Sequence, residues 1–162
     1  MKKVILSAVF SFAVFFLQAQ QIRKLTIADI ENYISSSKGQ VLVINFWATF
    51  CKSCVAEIPS FIKITNRHKN DSVKLLLVSL DLPSFYPKKI AAFAKQRKFN
   101  VPIVWLNETN ADYFCPRVDP KWSGSIPATL IINTKTGYRK FFEEEMEEAV
   151  FEKELETAIS GN

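Results

Sequence analysis

A mixed β-sheet covered by helices on both faces, an α/β fold, is what this sequence predicts, and three observations predict it. Two mostly apolar runs, Val41–Phe46 and Val73–Leu80, read as central strands buried on both faces. Helix-period stretches separate the strands, and crossover helices between buried strands imply a mixed sheet. Near the end of the chain, Asn133-Thr134-Lys135-Thr136-Gly137 supplies turn residues between two short strand-like runs, which makes a hairpin. The predicted order is β-α-β-α-β-α-β-β-β-α.

Each element has its own local reason. Ile22–Leu25 is a short first strand. Thr26 and Asp29 form a capping-box pair that starts a helix. Ile27, Ile30 and Ile34 line one face of that helix, and Gly39 is its stop. After Val41–Phe46 and the segment Trp47-Ala48-Thr49-Phe50, a helix runs from about Lys52 to Lys69. Its inward candidates are Ile58, Phe61, Ile62 and Thr65, and Pro59 should kink it. Asp81 closes the second buried strand. Pro87–Lys98 reads as a surface helix with Ile90, Ala91, Phe93 and Ala94 inward. Val101–Leu106 is a short strand, and residues 107–124 are irregular apart from a helical turn near Ala111. Ala128–Ile132 and Tyr138–Phe142 are the hairpin strands. Glu147–Ile159 is the last helix, with Ala149, Val150, Leu155 and Ile159 inward.

The first residues are set apart from the fold. Met1-Lys2-Lys3 is a short basic region, and Val4–Leu17 is uncharged and almost wholly apolar, with small Ala19 shortly after it. This is the pattern of a cleaved export signal over residues 1–19. The apolar run falls short of the ~20 residues that cross a bilayer as a helix, and an uncleaved anchor is the alternative. Residues 20–162 then form one domain. Loss of Lys2 and Lys3 takes the formal charge from +5 to +3. Residues 143–162 carry eight Glu and one Lys, so the body is basic and the tail acidic. The basic residues are scattered, which argues against nucleic-acid binding. The run Glu143–Glu148 reads as the solvated side of a helix and its entry turn.

Chemistry concentrates at Cys51-Lys52-Ser53-Cys54, placed where a strand gives way to a helix. A thiolate at a helix N-terminus is stabilised by free N–H groups and the helix dipole, and Lys52 adds positive charge. Cys51 is therefore the candidate attacking thiol, and Cys54 is close enough to resolve the mixed disulfide. Export places both in a compartment where disulfides form. A purely structural bridge is the bland alternative, though it gains little from closing so short a loop. A zinc site would need His68, 14 residues beyond Cys54 and about 20 Å along the helix, so no metal is expected. Cys115 is left over and reads as a buried, inert thiol.

These residues resemble a known family. Asn45-Phe46-Trp47-Ala48-Thr49-Phe50-Cys51-Lys52-Ser53-Cys54 is similar to the active-site segment of thioredoxin-like proteins, closest to exported TlpA/ResA-type thiol–disulfide oxidoreductases. Ser125-Ile126-Pro127-Ala128-Thr129 resembles the second signature of that family. The resemblance runs from about Val41 to Ile159 and implies a thioredoxin-like fold. It implies that the bond before Pro127 is cis and that Pro127 packs on the sulfurs. It also implies that the Ile126 backbone pairs with a substrate chain and that Trp47 covers the site. Glu57 matches a carboxylate that exchanges a proton with Cys54. Cytoplasmic thioredoxins carry a buried Asp where Asn45 stands here.

The sequence departs from the family at Phe50, where Trp is common, and at Ser53, where Pro is common. Lys52 and Ser53 therefore modulate the thiol pKa and the redox direction. A thiol peroxidase of the same fold would carry Pro and Ser or Thr ahead of the reactive Cys, and no Pro lies between Gly39 and Cys51. A metal carrier would want a better-placed His. The expectation is a monomeric periplasmic reductase of exported proteins' disulfides, without cofactor, recharged, as the resemblance implies, by a membrane donor of DsbD type. A disulfide oxidase or isomerase is the alternative.

Overall fold

The computed structural model describes residues 21–161; the segment read as an export signal lies outside them. Eleven elements follow in order. They are β1 Arg23–Leu25, α1 Ile27–Ser36, β2 Val41–Trp47, α2 Lys52–Arg67, β3 Val73–Ser79, α3 Lys88–Arg97, β4 Ile103–Leu106, α4 Ala111–Val118, β5 Ala128–Asn133, β6 Arg139–Phe142 and α5 Glu148–Ser160. The six strands make one sheet in the order β1-β4-β3-β2-β5-β6. The first four in that list are mutually parallel, and β5 pairs antiparallel with both of its neighbours, β2 and β6. The parallel half needs crossovers and uses helices for them. The antiparallel half needs only a tight turn. There Asn133 Oδ1 accepts from the Lys135 and Thr136 amides at 2.9 and 3.2 Å, and Gly137 takes a φ of 82°.

The most central strand sets the core. All seven residues of β2 are buried, because strands flank it and helices cover both its faces. Its side chains alternate. Val41, Val43 and Trp47 join the cluster built with Ile58, Phe61 and Ile64 of α2 and Phe151 and Leu155 of α5. Leu42, Ile44 and Phe46 join the opposite cluster with Ile27 and Ile30 of α1 and Phe114 of α4. The same alternation places Asn45, a polar residue, on the α2 side. Phe61 and Phe151 stack at 3.9 Å between ring centroids and lock α2 to α5.

Several expectations are corrected. Residues 111–118 form a full helix rather than one turn. Pro116 masks it in the sequence, and burial of Phe114, Cys115 and Val118 holds it. In α5 the inward face is Phe151, Leu155 and Ala158; Ala149 and Val150 are exposed. The helix is turned relative to the expected face because Phe151 seeks Phe61. α2 continues through Pro59 as one helix to Arg67, and Ile64, not Ile62, completes its buried face. α1 ends at Ser36 with the capping box as expected, and Gly39 lies in the following turn at φ 71°.

Candidate active site

Cys51 is the N-cap residue of α2, at the C-terminal end of the central strand. Its Sγ accepts the amide of Cys54 at 3.2 Å and lies 3.6 Å from Ser53 Oγ. Cys51 and Cys54 are joined by a disulfide, with Cα atoms 5.3 Å apart. Cys54 is fully buried, while Cys51 keeps part of its surface in solvent. Only Cys51 is therefore open to a partner's sulfur. Lys52 is exposed and Ser53 half-buried at the rim.

The bond between Ile126 and Pro127 is cis. A second cis bond, Tyr86–Pro87, was not anticipated from the sequence. Ile126 shares an open groove with Phe50, Cys51, Lys52, Ser53 and Glu145, so the two sequence signatures meet in space. Phe50 is 66% exposed at its edge. Trp47 is placed differently from its expected covering role. It is wholly buried and packed on Phe93 and Phe99. Its position on the inward face of β2 leaves no side-chain surface for a substrate.

Glu57 lies one helical turn after Cys54 and so on the same face of α2. It is 3% exposed. Asn45 Nδ2 donates to Oε1 at 2.8 Å, and the Met146 amide donates to Oε2 at 2.9 Å. Burial pushes its pKa up to about 7, with a smaller push from the charge of Glu145; the two hydrogen bonds oppose the rise. Asn45 also donates to Thr129 Oγ1 at 3.0 Å, which leaves its own Oδ1 without a partner. A buried carboxyl that titrates near neutrality beside a redox thiol can take up and return a proton.

Two carboxylates that the sequence reading did not assign to the site brace it. Asp81, just beyond β3, accepts from Thr49 Oγ1 at 2.5 Å, from the Thr49 amide at 3.1 Å and from Ser79 Oγ at 2.8 Å. It ties the loop before Cys51 to the neighbouring strand. An acidic residue closing a buried parallel strand was the available signal. Glu143 accepts from the Ser123 and Ser125 amides, in the loop before Pro127. No local pattern marks it, and it corrects the reading of Glu143–Glu148 as merely solvated. Cys115 is 3% exposed, and burial raises its thiol pKa to about 11, which suits an inert residue. His68 caps the far end of α2 beside Asp71, away from the cysteines. Among the described residues, no three His, Cys, Asp or Glu side chains are grouped to hold a metal ion, and no helix is long and apolar enough to cross a membrane.

The chain is similar to several known proteins. Over 68 residues the chain is 35% identical to the sporulation thiol-disulfide oxidoreductase A of Bacillus subtilis, spanning 42% of this chain and 41% of that protein. It is 26% identical to the thiol-disulfide oxidoreductase ResA of Geobacillus kaustophilus over 133 residues, 78% of this chain and 68% of the relative. Among solved structures, the thioredoxin-related protein of Neisseria meningitidis serogroup B superposes with a TM-score of 0.65 at 29% identity, covering 77% of this chain and 89% of that one. The fold is thus thioredoxin-like, as the paired signatures implied. The profile of the AhpC/TSA family matches residues 12–137, most of the sequence, and the chain belongs to that family.

Proposed function

We propose that this protein is an exported thiol–disulfide oxidoreductase that reduces disulfides of other exported proteins. The observation that carries the reading is the Cys51–Cys54 disulfide at the start of α2, with Cys51 alone reaching solvent beside the cis-Pro127 groove. In the reduced protein, the Cys51 thiolate attacks one sulfur of a client disulfide. The client's other sulfur leaves as a thiolate and takes a proton, and a Cys51–client mixed disulfide remains. Glu57 then accepts the proton of Cys54, whose sulfur attacks Cys51 Sγ. The client leaves with two thiols, and two electrons have passed to it. The Cys51–Cys54 disulfide of the structure is the product state.

The ResA-type resemblance supports the reducing direction, with Lys52 and Ser53 modulating the potential between the sulfurs. It also supports a periplasmic location for a monomer recharged by a membrane donor of DsbD type. Glu57, buried and titrating near pH 7, supports proton transfer to and from Cys54. A peroxidase reading gains nothing at Thr49, whose hydroxyl is committed to Asp81.

The reduction potential of the pair against glutathione, with Cys51→Ser as control, tests the proposal. A potential near or below about −250 mV fits a reductase, and one near about −120 mV makes the protein an oxidant. A pair that glutathione cannot exchange at all would sink the redox reading.

A further inference from the structure

Glu143 stands directly after β6 and reaches across to the loop that leads into Pro127. Its Oε1 accepts from the Ser123 amide at 3.0 Å, from the Ser125 amide at 2.9 Å and from the Ser123 hydroxyl. Oε2 shares the Ser123 amide at 3.1 Å. The Ser125 carbonyl is held from the other side by Trp122 Nε1 at 2.8 Å. Trp122 is itself anchored in the core against Phe46 and Phe114. Both backbone polar groups of Ser125 are thus occupied within the protein. Ile126 is next, and its amide and carbonyl make no hydrogen bond among the described residues. Its side chain lies in the groove with Cys51.

We infer that Glu143 is a positioning residue for the polypeptide client: it clamps the loop so that the free backbone edge of Ile126 stands ready beside Cys51. This rests on the oxidoreductase reading. The physical argument is entropic. An unclamped loop between α4 and β5 must be ordered when a client segment pairs with it, and that ordering weakens binding. A carboxylate that accepts two backbone amides and a hydroxyl orders the loop beforehand. Its neighbour Glu144 makes no hydrogen bond or ion pair among the described residues, so the clamp belongs to one residue of the acidic stretch and not to its charge.

Turnover of insulin by the full chain, with dithiothreitol as reductant, tests this. Glu143→Ala should raise KM for insulin about tenfold and leave kcat within twofold. Amide exchange at Ser123 and Ser125 should quicken at least tenfold in the same variant. Ser123→Ala, which removes the hydroxyl contacts to Glu143 and Ser125 Oγ and keeps both amide contacts, should move both readouts the same way by less. Glu144→Gln should move neither. If Glu143→Ala does not fold, Ser123→Ala decides: an unchanged KM with unchanged exchange would overturn the assignment. A folded Glu143→Ala with the parent KM overturns it as well. A parent protein that cannot reduce insulin defeats the reductase reading and the client role with it, whereas an active parent beside an indifferent Glu143→Ala defeats the role of Glu143 alone.

Discussion

Glu57 and Asp81 are both 3% exposed, yet the fold meets them differently. Asp81 receives two hydroxyls and an amide, drawn from its own strand end and from the loop before Cys51. Glu57 receives one amide hydrogen from Asn45 and one from the Met146 backbone. The first arrangement joins two segments, the loop before Cys51 and the end of β3. The second leaves a carboxyl that burial has lifted to titrate near 7, one turn from Cys54. Equal burial therefore does not mean an equal role. In the proposed mechanism, what distinguishes the brace from the proton carrier is the set of donors around it.

Glu57→Gln should break the comparison most sharply. The amide keeps the shape and loses the proton. The step in which Cys54 displaces the client should slow about 100-fold, the lower range for general acid–base catalysis, read by rapid-mixing decay of the mixed disulfide. The stability curve should change too. The folded pKa of about 7 lies above the ordinary 4.5, so between these values the folded protein binds more protons than the unfolded chain. Stability is therefore fullest below the unfolded pKa and falls as pH rises through 7, by about 3 kcal/mol at the order-of-magnitude level. Urea unfolding of Glu57→Gln from pH 4 to 8 should lack this slope. An unchanged displacement rate would return Glu57 to a packing role.

Asp81→Ala should act on stability instead. Thr49 and Ser79 lose a shared buried acceptor, at a cost of about 2–3 kcal/mol. The urea midpoint should fall, and the neutral-pH inflection of Cys54 reactivity should stay in place. A displaced inflection would mean that Asp81 also takes part in proton transfer. Asn45→Leu is a finer test. It removes a donor from Glu57 and should move the Glu57 titration upward, seen as a higher pH midpoint for the step in which Cys54 displaces the client. Its effect on stability should be small, since the unpartnered Asn45 Oδ1 is removed at the same time. The smallest effect is expected at Glu148, which meets Ser60 and Lys63 at the surface. Glu148→Ala should leave the melting temperature unchanged, as exposed pairs contribute little.

Much of the fold was legible because its signals are local. The almost wholly apolar β2, the Thr26/Asp29 box and the Asn133–Gly137 turn each depend on neighbours within a few residues. So does the placement of Cys51 at a helix start. Where the reading failed, a distant partner decided. The face of α5 turns to let Phe151 meet Phe61, and α4 forms around buried Phe114 in spite of Pro116. Trp47 sits on the inward parity of β2, a fact that the resemblance to other active-site segments does not convey.

The sequence by itself determined the α/β class, the redox pair at the end of a central strand and, through resemblance, Pro127 and Glu57 as residues to inspect. Only the tertiary structure decided what Glu57 can do. Its environment comes from Asn45, 12 residues before it, and Met146, 89 residues after it. The loops flanking the sulfurs are braced in the same way, by Asp81 from 32 residues beyond Thr49 and by Glu143 from 20 beyond Ser123. Periodicity and capping report contacts within a turn or a strand. Desolvation and the count of buried donors exist only once distant segments have packed, and the proton-carrying role proposed for Glu57 rests on these quantities.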